Sequence, residues 1–177
     1  MTTHDQPEDG DRLDRRAFLR TVGLFALAGS GVSLVAACGG SGSERAQATS
    51  AARGISVTLH RAEGCSCCTA YADYLRDNGF TVELDTVDDL DPIRERYSIP
   101  EAAVGCHTSV LDGYVVEGHV PVEAIDRLLT DRPAIDGISV VGMPTNSPGM
   151  GEPNGEPLDV VSFSNGRVED YLSVTTF

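Results

Sequence analysis

Three of the chain's five cysteines fall within four positions, in "GCSCC" (residues 64–68). The segment before them, "ISVTLH" (55–60), alternates like a strand, and Thr69 to Asn78 after them carries Tyr71, Tyr74 and Leu75 at helical spacing, with Gly79 as the stop. A strand that ends in a thiol-rich turn and feeds a helix sets its thiols against unpaired N–H groups and the positive end of the helix dipole, which favours thiolate. Thiolates serve redox exchange and metal binding alike. A purely structural framework of disulfides fits such crowding poorly, because a bridge across so few residues closes almost no loop and adds little stability.

The rest of the chain supplies the frame. "FTVELDTV" (80–87) alternates as a second strand, and Asp91-Pro92 opens a short helix running through Tyr97. "TSVL" (108–111) and "YVVE" (114–117) flank Asp112-Gly113, a strong two-residue hairpin signal, and residues 120–131 form an amphipathic helix with Ile125, Leu128 and Leu129 on one face. The succession strand, helix, strand, helix, hairpin, helix predicts an α/β domain over 55–177 of thioredoxin-like type, whose first helix begins at its active cysteines. Residues 142–157, rich in Gly, Pro and Asn, predict irregular loop. "LDVVSFS" (158–164), an Asn165-Gly166 turn and the last segment then predict an additional hairpin.

The N-terminal third reads as an address. Arg15-Arg16 precedes an uncharged run over 21–37 that ends in Val35-Ala36-Ala37-Cys38. Paired arginines before a short apolar stretch resemble a twin-arginine export signal, and Val35-Ala36-Ala37-Cys38 resembles a lipobox, whose cysteine takes a lipid. Residues 1–37 are therefore expected to be the signal, with His4 in the discarded part. Cys38 is then the expected lipidation site, tethering the protein to the cell membrane outside the cytoplasm, and 38–54, rich in Gly, Ser and Ala, reads as a flexible tether. An uncleaved membrane anchor is the competing reading, but Gly23, Gly29 and Gly31 make 21–37 a poor span. Acidic residues number 27 against 13 basic ones, for a net charge of −14, and every basic residue is Arg. Such a surface repels phosphate backbones, which argues against nucleic acid as a partner.

A fourth thiol bears on the choice between redox exchange and metal binding. Cys106 and His107 directly precede the predicted hairpin, and in a thioredoxin-like fold the loop at that point packs on the active cysteines. His107 then stands where a thioredoxin carries its proline. Cys65, Cys67, Cys68 and Cys106, with His107 beside them, would share one small volume. Soft thiolates with an added imidazole or thioether suit Cu(I), with Zn(II) the less favoured competitor. Adjacent Cys67 and Cys68 do not easily ligate one small ion together, which points to bridging thiolates and more than one copper. The alternative is a thiol-disulfide oxidoreductase using Cys65 to attack and Cys68 to resolve. Met143 and Met150 in the polar loop are candidate thioether ligands. His119 reads as a capping or hydrogen-bonded residue, and His60 as an outer donor behind the cysteines.

"GCSCCTAYADYLRDNGF", "YSIPEAAVGCHTSVLDGYVVEGHVPVEAIDRLL" and "GMPTNSPGM", in that order, resemble the CopG-like family of exported copper-associated proteins. The resemblance spans residues 55 to about 163. It implies a thioredoxin-like fold, copper bound by Cys65, Cys67, Cys68 and Cys106, and a role in copper resistance or homeostasis. His107 matches the family's Cys-His pair, and Met143 and Met150 match its Met-Pro to Pro-Gly-Met loop. A copper-donating or copper-accepting protein is the expected macromolecular partner, and binding is expected to outweigh enzymatic turnover.

Overall fold

The computed structural model describes residues 54–177. The expected signal, Cys38 and the expected tether as far as residue 53 lie outside them. Among the described residues no helix is long and apolar enough to cross a membrane.

Seven strands form one mixed sheet: β1 (Ser56–Ala62), β2 (Thr81–Val87), β3 (Thr108–Leu111), β4 (Tyr114–Glu117), β5 (Gly137–Ser139), β6 (Leu158–Ser164) and β7 (Arg167–Val174). Their order is β2-β1-β3-β4-β5-β6-β7. Strand β1 runs parallel to β2 and antiparallel to β3, and β4 runs parallel to β5; the β3–β4 and β6–β7 pairs are antiparallel hairpins. Three helices connect them: α1 (Ser66–Asp77), α2 (Asp91–Arg96) and α3 (Val122–Asp131). A single 3-10 turn, Glu101–Ala103, precedes β3.

Helix α1 starts three residues earlier than its apolar spacing predicts, because Cys65 itself caps it. Its inward face is Cys68, Tyr71, Ala72 and Leu75, one stripe of a 3.6-residue period. At its far end Phe80 N–H reaches the Leu75 carbonyl (3.1 Å) and Gly79 N–H the Arg76 carbonyl (3.0 Å), the paired bonds of a Schellman stop. That face and the Ile125–Leu128–Leu129 face of α3 join Val57, Leu59, Val116 and Ile138 in the main core. Val115, one residue along β4 from Val116, packs instead with Ile99, Ala103 and Phe163. Successive strand residues point to opposite faces, so α1 and α3 cover one side of the sheet and the segment after α2 covers the other. With both faces covered, all four residues of β4 are buried.

The element expected least was β5. It spans three residues, begins at a glycine, and is too short to alternate. It joins the first hairpin to the C-terminal hairpin and so makes one continuous sheet of what the sequence reads as separate pieces.

Candidate metal centre

Three segments meet at one end of the sheet. The first is the start of α1. Cys65 is its N-cap residue, and its Sγ accepts from the Cys68 backbone N–H at 3.3 Å. This is the position at which backbone donors and the helix dipole favour a thiolate.

The second segment is the loop before β3. Its Cys106 Sγ lies 3.6 Å from that of Cys65, 3.7 Å from Cys67 and 3.5 Å from Cys68, while Cys65 and Cys67 are 3.5 Å apart. All four sulfurs lie within 4.8 Å of one another. The convergence expected of Cys106 with the three clustered cysteines is therefore present. One detail differs from four open thiols: Cys65 and Cys68 are joined as a disulfide, their Cα atoms 5.4 Å apart, and Cys67 and Cys106 are free. Two cysteines across the first turn of a helix lie within bridging range, so the same spacing serves a dithiol and its oxidised form.

A buried carboxylate fixes the Cys106 loop. Glu117 on β4 is fully buried; its Oε1 accepts from Gly105 N–H (3.0 Å) and Arg94 Nε (3.4 Å), and its Oε2 accepts from the Thr108 hydroxyl (2.6 Å). Arg94 also donates to the Gly105 carbonyl (3.0 Å). Cys106 and His107 thus lie between two residues tied to one side chain. Burial pushes the Glu117 carboxyl up, against the opposing pull of these donors. Burial also pushes the Cys106 thiol up to about 12, with Cys67 adding to it and Arg94 opposing it. Metal binding at Cys106 therefore has to displace a proton.

Behind the sulfurs lie two imidazoles. His107 and His119 are fully buried, their rings 4.8 Å apart, and both pack on the Tyr71 ring at 4.7 and 5.3 Å. Burial drives the His107 pKa down to about 3, with His119 contributing, and lowers that of His119, so both are neutral at pH 7. They meet because the backbone crosses closely beside them. A Cβ on Gly105 would sit 2.7 Å from the Gly118 Cα, and one on Gly118, whose φ is +74°, would sit 2.5 Å from the Val140 carbonyl oxygen. Only glycine fits at both.

The third segment is the loop carrying the methionines. Gly142 bridges to Gly105, the neighbour of Cys106, and Gly149 lies against the Tyr71 backbone. Pro148 offers its carbonyl to His119 Nδ1 at 2.7 Å. Met143, at one end of this loop, is 61% exposed, and Met150, at the other, is half-buried. His60 lies within β1 and pairs through Nδ1 with Asp85 on β2 at 2.7 Å.

Comparison with known proteins bears directly on this site. Residues 103–150, from the 3-10 turn through Met150, match the family described as "Protein of unknown function, DUF411". Two solved structures of copper resistance protein CopG, forms 1 and 2, match at 32% identity over 69% of this chain and 98% and 99% of theirs, with a TM-score of 0.63 in each case. The chain belongs to the CopG-like family. No curated protein matches. The matched stretch of this CopG-like chain contains Cys106, His107, His119, Met143 and Met150, whereas the Cys65–Cys68 cluster lies before it.

The sequence gives little hint of His119's place in the site. The hairpin supplies one: pairing of Thr108 with Glu117 leaves His107 beside Gly118, whose N–H donates to the His107 carbonyl at 2.8 Å. Counting outward from the Asp112-Gly113 turn therefore brings His119 next to His107.

Proposed function

We propose that this protein binds copper outside the cytoplasm, tethered to the membrane by a lipid on Cys38, and serves copper sequestration or resistance. The observation that carries the reading is the meeting of Cys65, Cys67, Cys68 and Cys106 within 4.8 Å. Soft sulfur donors in that number suit Cu(I) better than Zn(II), and Cys67 next to Cys68 suits bridging between more than one ion. His107 stands ready as a nitrogen ligand or as a neighbour that tunes the cluster, and Met143 and Met150 as thioether donors from the loop around it. The match to copper resistance protein CopG supports the metal, and the paired arginines and lipobox-like residues before Cys38 support export. The order β2-β1-β3-β4, with β1 parallel to β2 and a cysteine-capped α1 between them, supports a thioredoxin-like core extended by β5, β6 and β7. Titration of the thiol-reduced protein with Cu(I) against a competing chelator is expected to give more than one equivalent bound. Failure to compete with even a weak chelator overturns the reading.

The Cys65–Cys68 disulfide favours a second reading, a thiol-disulfide oxidoreductase in which Cys65 attacks and Cys68 resolves. The variant Cys67→Ser separates the two. An oxidoreductase keeps its exchange activity without Cys67, whereas the copper site loses stoichiometry or affinity.

A further inference from the structure

Arg167 is the one arginine among the described residues whose side chain has no partner. Arg76, Arg94, Arg127 and Arg132 each pair with a carboxylate, Arg61 donates to the Cys65 carbonyl, and Arg96 lies over the Tyr97 ring. In a chain with 27 acidic residues a lone guanidinium calls for a reason. Glu169, two positions on, has no ion-pair partner among the described residues either.

Both side chains line a cavity of about 250 Å³ beside the turn of the C-terminal hairpin. Strand alternation sets them on one face: Arg167 pairs with Ser164 and Glu169 with Ser162, so a guanidinium, a carboxylate and two hydroxyls line it together. Ile135, in the connection from α3 to β5, closes the lining with Asn165. Asn165 Nδ2 donates to Ser164 Oγ at 3.0 Å, which leaves that hydroxyl's own proton for a ligand.

Charge narrows the ligand. The chain's net −14 repels a free anion, and a free cation leaves Arg167 unpaired, whereas a zwitterion with separated charges meets both groups at once. The cavity has room for roughly eight waters at their ~30 Å³ share, the bulk of an ethanolamine phosphate.

Position selects the source. The register runs from Val57 to Leu111 to Tyr114 and, one residue on, from Val115 to Gly137 to Phe163 to Val168. The Asn165-Gly166 turn therefore lies at the end of the sheet where the chain enters β1, and the thiol cluster follows the other end of that strand. The expected tether, residues 39–53, spans roughly 20 Å as a coil, so a lipid on Cys38 holds the cavity's end of the domain toward the bilayer.

We infer that this cavity takes the zwitterionic headgroup of an ethanolamine phospholipid, with Arg167 and the Ser164 hydroxyl on the phosphate and Glu169 on the ammonium. This rests on the proposed lipid tether. Headgroup binding turns the thiol cluster away from the membrane, toward the aqueous phase.

The test uses the full chain, labelled with 15N and carrying Cys38→Ser so that no lipid is attached, with glycerophosphoethanolamine as the soluble probe. Saturable shifts confined to the amides from Ser162 to Glu169 and the adjoining Ile135 are expected, with a dissociation constant in the millimolar range for so small a ligand. Arg167→Ala and Glu169→Gln, both at exposed positions, are each expected to weaken binding about tenfold. Bicelles doped with phosphatidylethanolamine are expected to move the same resonances, and bicelles of phosphatidylcholine alone are not, since choline has no N–H to give Glu169. No saturable shift, equal binding of inorganic phosphate, or binding that both variants leave unchanged overturns the site. Binding of the soluble probe with no response to the doped bicelles overturns the membrane source. Mass spectrometry of wild-type protein extracted from membranes reads the tether separately: an unmodified Cys38 overturns the tether and the membrane source together, while the cavity is judged by the soluble probe alone.

Discussion

Replacing Glu117 with Ala removes the anchor of the Cys106 loop. The change strips partners from Gly105 N–H, the Thr108 hydroxyl and Arg94 Nε at one stroke. Breaking a buried ion pair by deleting one partner costs about 3–5 kcal/mol. Arg94 is only 20% exposed at its side chain but still reaches water, which puts the expected loss near the lower figure, about 3 kcal/mol. Gln keeps the shape and one accepting oxygen and is expected to cost less, about 1–2 kcal/mol. Urea denaturation of the metal-free, reduced protein measures both, with an unchanged dependence on denaturant as the check that the two variants unfold alike. Cu(I) affinity is expected to fall with stability in Glu117→Ala, because Cys106 lies between Gly105 and Thr108. A loss below about 0.5 kcal/mol, the size of an ordinary surface substitution, refutes the assignment of Glu117 as the loop's anchor.

Acid should destabilise the metal-free protein through His107. Its folded pKa is depressed from 6.5 to about 3, so between those values the unfolded chain takes up a proton that the folded one refuses. Stability is then full above pH ~6.5 and falls as pH drops toward 3, by ~2 kcal/mol at pH 5; His107→Gln should flatten this part of the profile, measured as the difference between the two proteins' denaturation midpoints. Gly149→Ala should destabilise by ~2 kcal/mol or more in the same assay, because φ is +77° there and the new Cβ would lie 2.7 Å from the Tyr71 nitrogen. Tyr71→Phe removes the buried hydroxyl that donates to the Val120 carbonyl at 2.8 Å, and a loss of about 1–2 kcal/mol in thermal or urea unfolding is expected.

Most of the frame is legible in the sequence because its elements obey simple periods. The strands at 108–111 and 114–117 follow from Asp112-Gly113, where φ is +47° and +88° as a two-residue hairpin turn requires. The C-terminal hairpin follows from Asn165-Gly166 in the same way. Strand β5 escapes because three residues carry no period, and its pairing with β4 and β6 is decided by tertiary position. At the site, the four cysteines and His107 can be read from spacing and element order. The role of Glu117 cannot, since a carboxylate at the end of a four-residue strand reads as solvent-facing until a second layer covers it. His119 is hydrogen-bonded, as its place suggests, but its partner is the Pro148 carbonyl, 29 positions away, in a loop with no period to read.

The proposed copper site lies where Cys106 meets Cys65, Cys67 and Cys68. X-ray absorption at the copper edge, on the reduced protein loaded with Cu(I), tests it most directly when wild type is compared with Cys106→Ser. A sulfur-dominated coordination sphere that loses sulfur in the variant is expected. A shell of nitrogen and oxygen only, or one that Cys106→Ser leaves unchanged, contradicts it.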